Sequence, residues 1–210
     1  MSISQVCSAL SLICLAAVAN IVHGEDAALS EKICDNSPDQ KFAVRILYDE
    51  KENEQSAPQL KTKGESPLVE GIFWPSVKAI NIVSLPGKEK LAQLADEDSG
   101  GSGKLTLMWS PDSRWCAYYE DEVNSGYTSV FHQVEGKFVK LDELDNLHLK
   151  FKGDFRKEWI VPIRWTKPGV LILHDEMAGN SGSMGFEVTV RFDEKGKAHV
   201  IEQKKLKERM

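Results

Sequence analysis

"WSPDSRWCAYYED", residues 109–121, decides how this chain folds. Leu105, Leu107 and Trp109 fall on one face of a strand, with Thr106 and Met108 on the other. Beyond the turn, Trp115, Ala117 and Tyr119 share a face opposite Cys116 and Tyr118. Alternation with period two and aromatic content predicts strand on both sides. Between them Pro111 presets the backbone angle of a turn's second residue, while Ser110 and Asp112 are placed to bond back to nearby amides.

The same word recurs. "SPDQKFAVRI" begins at Ser37 and "SPDSRWCAYY" at Ser110; both read Ser-Pro-Asp, any residue, a basic residue, an aromatic, then small or aliphatic residues. A degenerate copy, "WTKPGVLILHDE", begins at Trp165. Laid on "WSPDSRWCAYYE" without gaps, it sets Trp165 on Trp109, Thr166 on Ser110, Gly169 on Ser113 and Glu176 on Glu120. Gly169 then stands where the turn favours a left-handed residue. A second hairpin follows each copy, turning at Pro86-Gly87, Glu135-Gly136 and Lys195-Gly196, and Lys follows the glycine each time. The turn glycines lie 49 and 60 residues apart. Several short strands in each period point to a repeat architecture of the propeller-blade kind.

"WSPDSRWCAYY" resembles the WD40-like PD40 repeat of TolB-type β-propellers. In that family a strand ends in an aromatic and is followed by Ser-Pro-Asp-Gly, a basic residue and an alternating strand. Ser110, Pro111, Asp112, Arg114 and Ala117 match. Ser37, Pro38, Asp39, Lys41, Ala43 and Val44 match comparably, with Asn36 in place of the aromatic. Ser113 and Gln40 stand where glycine is usual, and the third copy lacks Ser-Pro-Asp. The resemblance implies an all-β fold of about three antiparallel, four-stranded, propeller-blade-like repeats over 36–95, 104–145 and 158–206, within a single β domain spanning 25–210. Propellers typically close with 4–8 blades. About three units therefore predict an incomplete or open propeller, an assembly closed between chains, or, as the alternative, a β-sandwich built from the same hairpins. The first unit shows no obvious first strand. Open edges need protection, which the charged stretch 49–66 either gives or, as a mobile loop, does not. Residues 96–104 read as a linker, and 143–158 as the one place where a short helix competes with strand.

Composition bounds the function. The chain has 210 residues, 41% hydrophobic and 28% charged, which is globular rather than disordered. A formal net charge of −6 and no clustered basic run disfavour nucleic acid as a partner. The C-terminal "KKLKER", mixed with Glu202 and Glu208, reads as a solvated end. The first 24 residues carry no Asp, Glu, Lys or Arg and have an apolar centre, the pattern of a secretory signal peptide over 1–24. A positive n-region is missing, so an uncleaved N-terminal anchor is the alternative. No later segment is apolar enough to span a membrane. Cleavage leaves Cys34 and Cys116, which an oxidising compartment allows to pair. Such a disulfide would stabilise by roughly 4 kcal/mol in the chain-entropy view; two unpaired cysteines, with Cys116 buried in a strand, is the other reading.

No convincing catalytic constellation is present. "LHDEMAGNSGSMG", 173–185, is the most chemically suggestive stretch, and His174, Asp175 and Glu176 are its candidate binding residues. Adjacent His and Asp point to opposite faces of a strand, so they cannot chelate one ion without a bend. No second His stands at a ligand spacing, and no metal or other cofactor is expected. The "DED" at 96–98 lacks the distal Glu of a calcium loop. Phe73 and Trp74 in "VEGIFWPS" either plug an open side of the fold or expose an aromatic anchor for a partner. The sequence thus favours an exported, non-catalytic binding or scaffolding module with a protein partner at the cell envelope, periplasmic if the source is bacterial. The competing readings are an extracytoplasmic hydrolase or metal-dependent enzyme using His174, Asp175 and Glu176, and an exported enzyme inhibitor presenting the loop 173–185.

Overall fold

The computed structural model describes residues 29–56, 72, 74–96, 105–121, 124–141, 154–180, 182–193 and 195–206. Residues 1–24, where the sequence led us to expect a signal peptide, and Phe73 lie outside them, as does most of 96–104. The described chain is all-β apart from one short helix and a 3-10 turn. Its strands are β1 (Ser30–Cys34), β2 (Phe42–Tyr48), β3 (Val77–Ser84), β4 (Lys90–Asp96), β5 (Leu105–Trp109), β6 (Trp115–Asp121), β7 (Ser125–Val134), β8 (Lys137–Lys140), β9 (Phe155–Lys167), β10 (Val170–Gly179), β11 (Gly182–Phe192) and β12 (Ala198–Lys205).

They form two sheets. The first is antiparallel, in the order β1-β2-β3-β4. The second has eight strands in the order β12-β11-β10-β9-β7-β6-β5, with β8 paired to β7. Within it β5 to β8 pair antiparallel in succession, and so do β9 to β12. A short parallel ladder joins the two groups, with Ser125 opposite Glu158 and Gly126 opposite Trp159. Among the described residues the strands close neither a barrel nor a ring.

Two cores separate the layers, and β6 divides between them. Cys116 and Tyr118 pack with Val44, Ile46, Ile80 and Ile82 of the first sheet. Trp115 and Ala117 pack with Leu171, Leu173, Val188 and Val190. On β5, Leu105, Leu107 and Trp109 join the first core and Met108 the second. The period-two alternation read at 105–119 is therefore the partition of the molecule into its two cores.

The two Ser-Pro-Asp turns are built alike. The Ser37 amide donates to the Phe42 carbonyl and the Ser110 amide to the Trp115 carbonyl, each at 2.9 Å. Ser37 Oγ donates to Asp39 at 2.8 Å, and Ser110 Oγ to Asp112 at 2.6 Å. Each of these hydroxyls also accepts the amide that restarts the strand, that of Phe42 or Trp115, at 3.0 Å. Gln40 (φ 61°) and Ser113 (φ 60°) occupy the left-handed region where glycine was expected, and Gly169 (φ 69°) does so in the third copy. The turns also touch: Ser113 Oγ accepts the Asp39 amide at 3.0 Å.

Three features depart from the sequence reading. A first strand, β1, is present and pairs with β2 through Ser30–Tyr48 to Cys34–Val44. The charged stretch 49–66 opens with a helix, α1 (Glu50–Ser56), capped by Asp49, whose carboxylate accepts the Glu52 amide at 3.0 Å. Acidic Glu50 and Glu52 in its first turn suit the helix dipole. In 143–158, residues 155–158 are strand, the start of β9, while 142–153 lie outside the described residues.

Candidate functional site

β10 is gripped by β9 and β11 on either side, and this sets where its candidate residues point. His174 stands opposite Glu187 and Val161, Asp175 opposite Phe186 and Ile160, and Glu176 opposite Gly185 and Trp159. Side chains alternate across a sheet. His174 and Glu176 accordingly share one face, half-buried and exposed, while Asp175 enters the opposite face at 3% exposure. The structure does not bring the three together.

Asp175 borders a crevice lined by Ile160, Leu173 and Val188 that is too small to hold a water molecule. It offers no room for a substrate beside the carboxylate. On the other face His174 Nε2 lies 3.9 Å from Glu187 Oε2. Among the described residues no group of three His, Cys, Asp or Glu side chains is placed to hold a metal ion. What remains is a polar surface strip of His174, Glu176 and Glu187, suited to contact rather than chelation.

Trp74 sits in a 3-10 turn over Trp74–Ser76, half-buried against the first core, next to buried Ile72. Its ring packs against that core while remaining partly exposed. Cys34 and Cys116 pack into this same core and are not joined by a disulfide. Burial pushes the Cys34 thiol up to about 11, and burial likewise raises that of Cys116, which is wholly buried, well above its ordinary value. Both are neutral near pH 7, without the thiolate that nucleophilic chemistry needs.

The aromatics gather at the two joints between strand groups. At the first, Trp109 stacks with Phe42 at 6.2 Å between ring centres and meets Phe138 edge-on at 5.6 Å. At the second, Trp115 lies 6.3 Å from Trp165 and 5.5 Å from Phe192. Each joint thus has an aromatic that restarts a strand, a tryptophan from the next group and a phenylalanine from that group. The indole N–H groups add a matching polar contact: Trp109 donates to the Asp35 carbonyl at 2.8 Å and Trp165 to the Met108 carbonyl at 3.0 Å. In the ungapped repeat register Asp35 and Met108 are equivalent, as are Trp109 and Trp165.

Compared with known proteins, the chain matches no family model and no curated sequence. One exposed feature falls at the C-terminal end that the sequence reads as solvated. Glu202 and Lys204 on β12 form an ion pair at 3.0 Å on the outermost strand of the larger sheet. Their signal was an acid two residues before a base in a segment otherwise read as a solvated tail.

Proposed function

We propose that this protein is an exported, non-catalytic binding or scaffolding module of three propeller-blade-like units, acting on a protein partner at the cell envelope. The observation that carries the reading is the repeated joint. Trp109 to Asp35 and Trp165 to Met108 stack one four-strand group on the next by the same contact. Repeat stacks of this kind gain their stability from neighbour interfaces and present extended surfaces to partners. The separation of His174 and Glu176 from buried Asp175 supports binding over catalysis. The apolar, uncharged N-terminal stretch supports export.

Cell fractionation with quantitative capture from envelope extract tests this reading. The full chain is expected in the envelope fraction, in a saturable complex that survives His174→Ala and Glu176→Ala. Finding the chain inside the cell, or a catalysed turnover abolished by those substitutions, would overturn it.

A further inference from the structure

β12 ends the larger sheet, and β11 is its only strand partner among the described residues. Nearly all of β12 is exposed, including Val200 at 40% and Ile201 at 50%. The Leu206 amide donates to the Gly185 carbonyl at 2.8 Å. Hydrogen-bonded and non-bonded pairs alternate along an antiparallel ladder. Counting back through Lys205–Phe186, Lys204–Glu187 and Gln203–Val188, the N–H and C=O groups of Gln203 and Lys205 therefore face away from β11. Among the described residues no strand pairs with them, so they form a hydrogen-bonding edge that is a template for another strand.

We propose that the edge is filled by β12 of a second copy of this chain, antiparallel, about a two-fold axis through Gln203. The charge pattern selects this partner and this register. With Gln203 opposite itself, Glu202 of each copy faces Lys204 of the other, and the Glu202–Lys204 pair already on one face becomes an alternating set of four charges. Opposite charges placed directly across a ladder stabilise it, and like charges oppose it. The outward groups of Gln203 then exchange both backbone bonds with their counterparts. Lys205 lays its aliphatic stem against Ile201 of the second copy, and Leu206 meets Val200, covering the two exposed apolar side chains. A contact that is the same patch on both partners closes at two copies. Shifting the axis to Glu202 sets that carboxylate against itself, which disfavours the neighbouring register.

Sedimentation velocity of the purified full chain, over about 1–200 μM because a single-strand contact is small and weak, reads the association. A concentration-dependent dimer is expected. Lys204→Glu and Glu202→Lys each set like charges face to face and weaken it by about tenfold or more. The two single variants mixed together regain complementarity and form a heterodimer, and the double exchange Glu202→Lys with Lys204→Glu restores the homodimer. Gln203→Pro removes an outward N–H without touching β11 bonds and abolishes pairing. A monomer at every concentration, with the edge taken only by a strand of another protein, overturns the proposal. So does a dimer indifferent to both single charge reversals. Circular dichroism of each variant confirms that the sheet is retained.

Discussion

The indole of Trp165 donates to the carbonyl of Met108 at 3.0 Å, across the joint between the second and third groups of strands. Trp165 is itself buried at 8% exposure, so this carbonyl has its partner inside protein rather than in water. Trp165→Phe keeps a smaller ring in the aromatic cluster and deletes the donor together with part of the indole's bulk. The expected loss is about 1–2 kcal/mol, the cost of a buried acceptor left unpaired. Trp165→Ala removes the packing as well and should cost about 3–5 kcal/mol. Urea unfolding followed by tryptophan fluorescence separates the two. A phenylalanine variant as stable as the native protein would remove the indole bond from any account of how the groups are held.

The left-handed turn residues give a prediction of opposite sign. Gln40 holds φ 61° with a side chain that bonds the Ser37 carbonyl at 3.1 Å and Asn36 at 3.0 Å, on the surface. A non-glycine residue there costs about 1–2 kcal/mol, less the roughly 0.5–1 kcal/mol that glycine loses in ordering. Gln40→Gly should therefore stabilise by about 0.5–1 kcal/mol. Ser113 has the same backbone but accepts the Asp39 amide at 3.0 Å and is buried at 1% exposure. Ser113→Gly gives up that bond and should show no gain. Denaturant midpoints of the two variants, measured side by side, check the contrast.

These turns also show what the sequence made legible. Ser37, Ser110 and their aspartates announced the turns because proline and short acceptors fix local geometry wherever they occur. The faces of β5 and β6 were readable because their side chains alternate between the two cores. β1 was not readable. Ser-Glu-Lys-Ile-Cys has weak alternation, and its strand state comes from pairing with β2. Helix α1 is hard to see in the sequence because "DEKENEQS" is polar all round, although Asp49 with Glu52 is a helix-start signal. At the candidate site the opposed faces of His174 and Asp175 followed from strand period. Which face was buried did not, because that depends on the group of strands packed against it.

His132 links the second joint to pH. Its ring stacks on Trp115 with centres 3.8 Å apart. Burial first, and then the charge of Arg114, hold its pKa below the ordinary value of 6.5, with Asp112 pulling the other way. The folded state thus prefers the neutral ring, and the unfolded chain takes up the proton first as pH falls. Stability from this group is full above about pH 6.5 and is lost as pH drops through the lowered folded value. His132→Phe keeps the stack and cannot titrate. The native protein should lose more stability than this variant between pH 7.5 and pH 5, with the difference read from urea midpoints. Parallel pH profiles would show that His132 does not carry the effect.

The parallel join between β7 and β9 depends on the absence of one side chain. Gly126 lies opposite Asp121 on β6 and opposite Trp159 on β9. A Cβ added at Gly126 would run into the ring and hydroxyl of Tyr119, which is buried at 5% exposure. At 5% exposure the ring has little open space into which to swing aside. Gly126→Ala should therefore destabilise by about 1–3 kcal/mol through overpacking. Gly136→Ala serves as the comparison, since Gly136 has open space around it and only its φ of 81° to oppose a side chain. Its loss should stay near 1 kcal/mol. Combining Gly126→Ala with Tyr119→Ala removes the clashing ring, so the double variant should be more stable than the sum of the two single losses by about 1 kcal/mol or more. Hydrogen exchange at the amides of Gly126 and Trp159 localises the effect. Faster exchange there in Gly126→Ala, with β10 and β11 unchanged, places the damage at the join; strictly additive losses would mean that Tyr119 is not what keeps position 126 a glycine.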